Sequence, residues 1–185
     1  MNKRTRVAFL DTLLIVILIL IIILKTQDNE SSADTYVPPG SVVVQVEWPP
    51  TIDVDVDLWV QAPGDVPVGY SNKGGKYFNL LRDDLGNYSD TTRLNFEVSY
   101  SRGQPAGEYT VNLHLFSTKG GNVSVPCRVE ILMRIGAKKY ATIFKRDVVL
   151  EHAGQELTVQ RFTLDENSNI VGKSLIPKAL RSGAR

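Results

Sequence analysis

Two groups of carboxylates stand out in the sequence because of their position and spacing. Asp11 is the only charged residue in the otherwise almost wholly apolar stretch 7–24. The second group comprises five aspartates, three at alternating positions and two adjacent to one another: Asp53, Asp55, Asp57, Asp83 and Asp84. A carboxylate among apolar residues can bind and release a proton, and clustered carboxylates are ligands that Ca²⁺ prefers. The first pattern therefore points to proton transfer and the second to metal binding.

The stretch 7–24 predicts a transmembrane helix. At 1.5 Å per residue it is about 27 Å long, close to the thickness of a bilayer's hydrocarbon core. Three basic residues precede it, whereas only Lys25 follows closely and an acidic segment comes next. The positive-inside rule therefore places residues 1–6 in the cytoplasm and the rest of the chain outside. Because the run is long and no Ala-x-Ala site follows, we expect an uncleaved anchor rather than a signal peptide.

Asp11 lies about one turn inside the cytoplasmic end of this helix, and two interpretations are open. Near the membrane interface the carboxylate can stay hydrated and have no role. Buried against a partner, it would be an ion-carrying group, and Thr12 would hydrogen-bond to it or to the partner. An isolated helix cannot build such a dry site, so the second interpretation requires a polytopic membrane partner.

The remainder of the chain divides by composition. Residues 25–40 are polar and end in Pro-Pro-Gly, which predicts a flexible linker. Residues 41–172 alternate short β-branched and aromatic runs with Gly, Pro, Asn and Asp clusters, which predicts an all-β domain, specifically a β-sandwich. Residues 173–185 form a basic tail, which we expect to be frayed and solvated, the alternative being contact with an anionic polymer or lipid headgroups.

The domain contains nine predicted strands, several of which alternate apolar and polar residues. The segment from Tyr109 to Leu115 and the segment from Leu94 to Val98 each predict one buried apolar face and one solvent-facing polar face. The predicted strands lie near residues 42–47, 54–61, 68–70, 77–81, 93–100, 108–116, 127–134, 142–150 and 157–164. The single cysteine, Cys127, excludes an internal disulfide, and we expect it to be a small buried hydrophobic residue.

The alternation of Asp53, Asp55 and Asp57 places all three on one face of a strand, where they could form a Ca²⁺ site with Asp83 and Asp84. Other interpretations remain open for the same residues. Asp57 could cap a turn, Arg82 or Arg93 could neutralise the cluster, or the stripe could be the solvent-facing side of a strand. We expect no other cofactor.

Composition and motifs argue against several functions. The formal net charge of +1 gives no support for nucleic-acid binding. The two histidines, His114 on the polar side of a predicted strand and His152 in a predicted turn, have no partner at metal-ligand spacing. Nucleophile, zinc-protease and phosphate-loop motifs are absent from the sequence. We therefore expect that the protein is not an enzyme.

Residues 4–26 resemble the transmembrane segment of the ExbD, TolR and MotB family, the B subunits of ion-driven motors. The resemblance consists of a short basic start, the sequence Phe9-Leu10-Asp11, and then a Leu/Ile/Val-rich run. It implies that Asp11 is the ion-carrying aspartate, that two copies associate, and that a ring of ExbB-, TolQ- or MotA-like subunits surrounds them. It also implies the inner membrane of a bacterium, with the β domain in the periplasm.

Residues 52–117 resemble the extracytoplasmic β-sandwich domains of YfaP-like bacterial proteins. The segment Asp55-Val56-Asp57-Leu58-Trp59-Val60-Gln61-Ala62-Pro63-Gly64 and the later strand at Gly107–Val111 carry this resemblance, which implies a fold more than an activity. The β domain matches neither the small α/β fold of ExbD and TolR nor the peptidoglycan-binding module of MotB.

Two functions follow as expectations. The leading one is a B-type motor subunit in which Asp11 carries the ion and the periplasmic domain transmits motion to an unknown target. The alternative is a membrane-tethered recognition module that binds a protein or glycan and transports no ion.

Overall fold

Nine strands form two antiparallel sheets within the part of the chain that the computed structural model describes, namely residues 2, 13–20, 40–85, 94–119, 121, 124–137 and 139–181. The strands are β1 (Val42–Trp48), β2 (Asp55–Gln61), β3 (Phe78–Arg82), β4 (Asn95–Ser101), β5 (Gly107–Ser117), β6 (Val125–Arg134), β7 (Tyr140–Leu150), β8 (Glu156–Leu164) and β9 (Ile170–Ser174). Sheet 1 has the order β3-β4-β1-β6-β7 and sheet 2 the order β2-β5-β8-β9. The predicted all-β sandwich is thus confirmed.

The core lies between the sheets, because alternate residues of each strand point inward. In β1 the side chains of Val42, Val44 and Val46 are fully buried, and in β2 those of Val56 and Leu58 are fully buried. Each such side chain contributes about 1.5–3 kcal/mol relative to an exposed one. Cys127 belongs to this core, as predicted, and burial raises the pKa of its thiol to about 12.

The chain divides into two compact units, Met1–Val37 and Pro38–Arg185. In the first unit, residues 13–20 are helical, and their apolar side chains are 45% to 61% exposed. Among the described residues no helix is both long enough and apolar enough to cross a membrane. Asp11 and Thr12 lie outside the described residues, so their predicted roles remain predictions.

The register of β1 defines two ends of the sandwich. At its start, Val42 pairs with Ser101 and Met133, and residue 40 enters the domain here; we call this the linker end. At its finish, Trp48 pairs with Asn95, and the start of β2 and the finish of β3 lie at the same side. The predicted acidic residues are on these segments, and we call this the acidic end.

The inward face of β4 differs from the prediction. The alternation from Leu94 to Val98 predicted an apolar inward face, but Asn95 and Glu97 are buried while Leu94 is 58% exposed. The polar side chains turn inward because they bind backbone groups there. The Asn95 amide donates to the carbonyls of Pro49 and Ile52, at 2.9 and 3.1 Å.

The predicted solvent-facing side of β5 is also wrong. Its polar residues Thr110, Asn112 and His114 are at most 2% exposed. They are covered because the C-terminal segment 175–181 lies on the outer face of sheet 2. The Asn112 amide donates to the carbonyl of Lys178 at 2.7 Å, and Leu180 is 1% exposed.

The predicted solvated tail, residues 173–185, is therefore packed on the domain at least as far as Arg181. Residues 170–174 form β9, which extends the domain beyond the predicted boundary at residue 172. Conversely, the predicted strand 68–70 is reduced to isolated bridges, Val60 with Val68 and Gly69 with Asn72. The remaining predicted strands agree with the structure to within about three residues.

Candidate functional site

Three carboxylates converge at the acidic end from three different segments. Asp57 lies on β2, the first strand of sheet 2, and Asp83 directly follows β3 of sheet 1. Glu97 lies on the inward face of β4 and reaches from sheet 1 to sheet 2. One carboxylate oxygen of each residue lies within 4.8 Å of the others. The edge of the sandwich, where the two sheets approach one another, is thus lined by acidic groups.

Glu97 is the structural centre of the group. Its Oε2 accepts a hydrogen bond from the Leu58 N–H at 2.6 Å, which satisfies a donor on the free edge of β2. Its Oε1 accepts a hydrogen bond from the Asp84 N–H at 3.1 Å. Complete burial raises the pKa of Glu97 well above its usual value despite these two donors, and the negative charges of Asp57 and Asp83 raise it further.

Asp57 belongs to a buried chain of polar groups on the outer face of sheet 2. Its Oδ2 lies 2.7 Å from Nδ1 of His114, the residue directly opposite on β5. The Nε2 of the same imidazole lies 2.7 Å from Nη1 of Arg181. Because the guanidinium can only donate, Nε2 accepts a hydrogen bond from it, and Nδ1 donates to Asp57. Burial raises the pKa of Asp57, although the hydrogen bond from His114 acts in the opposite direction.

Two neighbouring carboxylate oxygens are buried without a hydrogen-bond partner. They are Oδ1 of Asp55 and Oδ1 of Asp83. Burial, together with the negative charges of Asp57 and Asp83, raises the pKa of Asp55 from 3.8 to about 7. Asp83 is also paired with Lys73, whose Nζ lies 2.7 Å from Oδ2. Near neutral pH the Asp55 carboxylate is therefore only partly ionised, and a cation beside it would favour the charged form.

The two other predicted ligands do not join this group. Asp53 is paired with Lys119 at 2.7 Å on the surface. Asp84 is buried, but its Oδ2 is bound by the guanidinium of Arg82 at 2.9 Å and by the Phe96 N–H at 3.2 Å. The prediction that Arg82 neutralises part of the cluster thus applies to Asp84. Arg93 lies outside the described residues.

Glu97 was not among the residues predicted to bind a metal. Its position between Phe96 and Val98 in an alternating segment favoured a solvent-facing side chain. The length of its side chain could have indicated an inward position, because a glutamate is long enough to reach from one sheet to a backbone N–H of the other. Asp57 does not cap a turn, since it lies within β2 and binds His114.

The arrangement suits a hard cation better than catalysis. Ca²⁺ binds oxygen ligands at 2.3–2.6 Å, so two oxygens on one ion are at most about 5 Å apart. The carboxylate oxygens of Asp57, Asp83 and Glu97, which lie within 4.8 Å of one another, meet this condition.

The second histidine of the sequence, His152, lies in an exposed turn, and its Nδ1 contacts the carbonyl of Ala153.

Comparisons of the chain with protein-family models, with curated proteins and with solved structures each find no match. The resemblances to motor B subunits and to YfaP-like domains therefore remain predictions.

Proposed function

We propose that this protein is a recognition module tethered to a bacterial inner membrane, with the acidic end of its periplasmic β-sandwich as the binding face. One observation carries the proposal. The carboxylates of Asp57, Asp83 and Glu97 converge at the end of the sandwich opposite to the entry of the linker. Of these three residues, Asp83 is the one that a partner can reach, with a side chain that is 17% exposed.

The tether rests on the N-terminal sequence. Residues 7–24 are long enough to span a bilayer, and the basic residues before them favour a cytoplasmic N-terminus. The helical residues 13–20 expose apolar side chains around the whole helix, as a lipid-facing segment does. The lipid bilayer is then the first partner of the chain, and the target of the β domain is a protein or a glycan.

The acidic end is also the proposed site of one Ca²⁺ ion. Two carboxylates at about 4 Å repel one another by about 1 kcal/mol in water and about 4 kcal/mol near a protein surface. A divalent cation removes this repulsion and gives the buried oxygens of Asp55 and Asp83 a partner. Binding to the folded state alone also stabilises it by about 2.7 kcal/mol when free Ca²⁺ is 100 times the Kd.

Thermal unfolding of the full chain in detergent tests the cation site. We expect Ca²⁺ to raise the Tm by roughly 5–10 °C over a chelator, and Asp83→Asn to abolish the increase. Lys73→Met is the matched control, because it removes the cationic partner of Asp83 and leaves the carboxylate in place. That variant should keep or enlarge the response. A Tm that is indifferent to Ca²⁺ in the unmodified chain would refute the site.

A second function, the B-type motor subunit, is favoured by the position of Asp11. It is the single acidic residue of the apolar stretch and is placed as the ion-carrying aspartate is in the family that the segment resembles. In this case the chain is a dimer within a ring of polytopic subunits, and the β domain transmits motion to its target.

Purification of the full-length protein from its native membrane in mild detergent distinguishes the two functions. Mass spectrometry that identifies a polytopic subunit in stoichiometric excess would support the motor. Recovery of the chain alone, or with soluble partners only, would support the recognition module and exclude the motor.

A further inference from the structure

The point at which the linker enters the domain is held by several hydrogen bonds. The carbonyl of Gly40 accepts from Nη2 of Arg134 at 2.6 Å and from the Tyr140 hydroxyl. The next residue, Ser41, donates its N–H to the carbonyl of Ser101 at 2.6 Å. We call these contacts, with those of Gln104 below, the linker clamp.

Gln104 completes the linker clamp from the β4–β5 connection. Its Nε2 donates to the carbonyl of Ser41 at 2.9 Å and to the carbonyl of Arg134 at 3.0 Å. The N–H of Arg134 also donates to Ser41, at 2.8 Å. The two residues before β1 are thus bound to four segments, namely β4, the β4–β5 connection, β6 and β7.

Gly40 fits this position because it has no side chain. Its φ of +107° is a conformation that other residues rarely adopt, and a Cβ would lie 2.5 Å from the Ser101 carbonyl oxygen. A side chain at residue 40 would therefore be strained.

The strand that follows is the central one of sheet 1. It forms seven residue pairs with β4 and six with β6, both antiparallel. Hydrogen bonds between antiparallel strands are perpendicular to the strand axis. A force along β1 therefore loads all of these bonds together, whereas a force across the sheet breaks them one after another.

We propose that the β-sandwich carries tension between the linker and whatever binds its acidic end, with β1 loaded in shear and the linker clamp holding the point of load. The identity of the acidic end as the attachment face rests on the proposed function. The direction of load is set by the chain itself, because β1 runs from the linker end to the acidic end.

Single-molecule pulling on the full chain tests this proposal. One handle is placed at the N-terminus in both experiments. The second is a cysteine either at Leu85, which is exposed at the acidic end, or at Asn167, which is exposed at the linker end. Burial of Cys127, which raises the pKa of its thiol to about 12, keeps the native residue from reacting with the handles.

At the same loading rate, we expect the Leu85 geometry to need roughly twice the rupture force of the Asn167 geometry, or more. Equal forces, or a weaker Leu85 geometry, would overturn the proposal. The comparison uses two handle positions on otherwise unmodified protein, so a misfolded variant cannot produce the difference. It involves no bound partner, and a failure of the proposed recognition or Ca²⁺ function would leave it unchanged.

The linker clamp is tested by Gln104→Ala in the Leu85 geometry, where we expect a lower rupture force. Gln155→Ala is the matched control, because the Gln155 side chain also hydrogen-bonds to the backbone, in its case accepting from the Glu151 N–H, but lies in a turn away from the linker. An unchanged force in Gln104→Ala, or an equal loss in both variants, would show that the clamp does not hold the load.

Discussion

At the scale of residues, the pKa values of the carboxylates at the acidic end depend on burial and on the neighbouring charges. Asp55, Asp57 and Glu97 all have a pKa raised chiefly by burial, and each also faces other carboxylates. Elsewhere the opposite balance holds. For Asp65, partial burial raises the pKa, but three backbone N–H donors, those of Tyr77, Lys76 and Val66, lower it by more.

Asp55 predicts a dependence of stability on pH in the absence of Ca²⁺. Its folded pKa, about 7, is above the usual 3.8, so the folded state binds the proton more tightly than the unfolded state. The resulting stabilisation is present below the unfolded pKa and is lost as the pH rises through about 7. As the pH rises from about 4 to about 7, Asp55→Asn should therefore lose less stability than the unmodified protein. Denaturant unfolding at a series of pH values in chelator measures the difference.

Asp65→Asn is the control of opposite sign. Because the pKa of Asp65 is lowered in the folded state, its contribution is present above the unfolded pKa and is lost as the pH falls. In this variant the free energy of unfolding should fall less steeply as the pH is lowered, and its decline as the pH rises toward 7 should be unchanged. If Asp55→Asn follows the profile of the unmodified protein, Asp55 does not titrate near neutrality.

At the scale of elements, the outer face of sheet 2 shows how segments without regular structure hold the strands. The loop after β2 covers Trp59, with Tyr70 packed edge-on at 5.6 Å between ring centroids. The C-terminal segment covers the buried polar residues of β5 and links them to β8 through Lys178 and Leu180. In both segments the backbone lies close to the side chains that it covers, at Gly69 over Trp59 and at Lys178 beside Asn112.

Leu180 tests the contribution of the C-terminal segment. Its side chain is 1% exposed, and Leu→Ala at buried positions costs about 2–5 kcal/mol. We expect Leu180→Ala to lower the free energy of unfolding toward the smaller of these values, because the site lies at the surface of a sheet and can relax. Leu175→Ala, at a side chain that is 57% exposed, should change it by less than about 0.5 kcal/mol. Equal effects in denaturant unfolding would mean that the segment contributes no specific packing.

Gly69 tests the loop that covers Trp59. A Cβ at this position would lie 2.4 Å from Cδ2 of the indole. Gly69→Ala should therefore force the loop away and destabilise the domain by about 1–3 kcal/mol, as overpacking does. Gly136→Ala is the control, since its Cβ would meet only Lys139 Cβ at 3.7 Å, an ordinary contact. Indole fluorescence reports the displacement, and an unchanged spectrum and stability would exclude close packing at Gly69.

At the scale of the whole molecule, a substitution of Asp11 distinguishes the two proposed functions. In a motor, Asp11→Asn should insert and assemble normally but abolish function, because the amide cannot bind and release a proton. In a tethered recognition module the same variant should behave as the unmodified protein. Complementation of a deletion strain, with membrane fractionation to confirm insertion, measures the difference.

The edge strand β7 has features that oppose its pairing with a strand of another molecule. β7 is the last strand of sheet 1 and carries a register irregularity opposite Ile131 and Leu132, the exposed Lys145, and Arg146 bound to Gln160 of sheet 2. Bulges and charges of this kind oppose edge-to-edge pairing of strands. The proposed dimer of the motor function is therefore not expected to form by strand pairing along β7.

The sequence alone determined the class of the fold and most of its strands, because alternation of apolar residues and the turn-forming residues between them act locally. It also predicted a cluster of five aspartates, of which the structure brings Asp55, Asp57 and Asp83 together, whereas Asp53 and Asp84 are paired with Lys119 and Arg82. Cys127 was correctly predicted to be a small buried hydrophobic residue.

Only the tertiary structure decided which polar residues are buried. Alternation distinguishes two faces of a strand but does not reveal what covers each face. Glu97 points inward because the free edge of β2 presents an N–H that needs an acceptor, and His114 is buried because the C-terminal segment lies over it. Both partners are distant in the sequence, 39 and 67 residues away, so no local pattern records them.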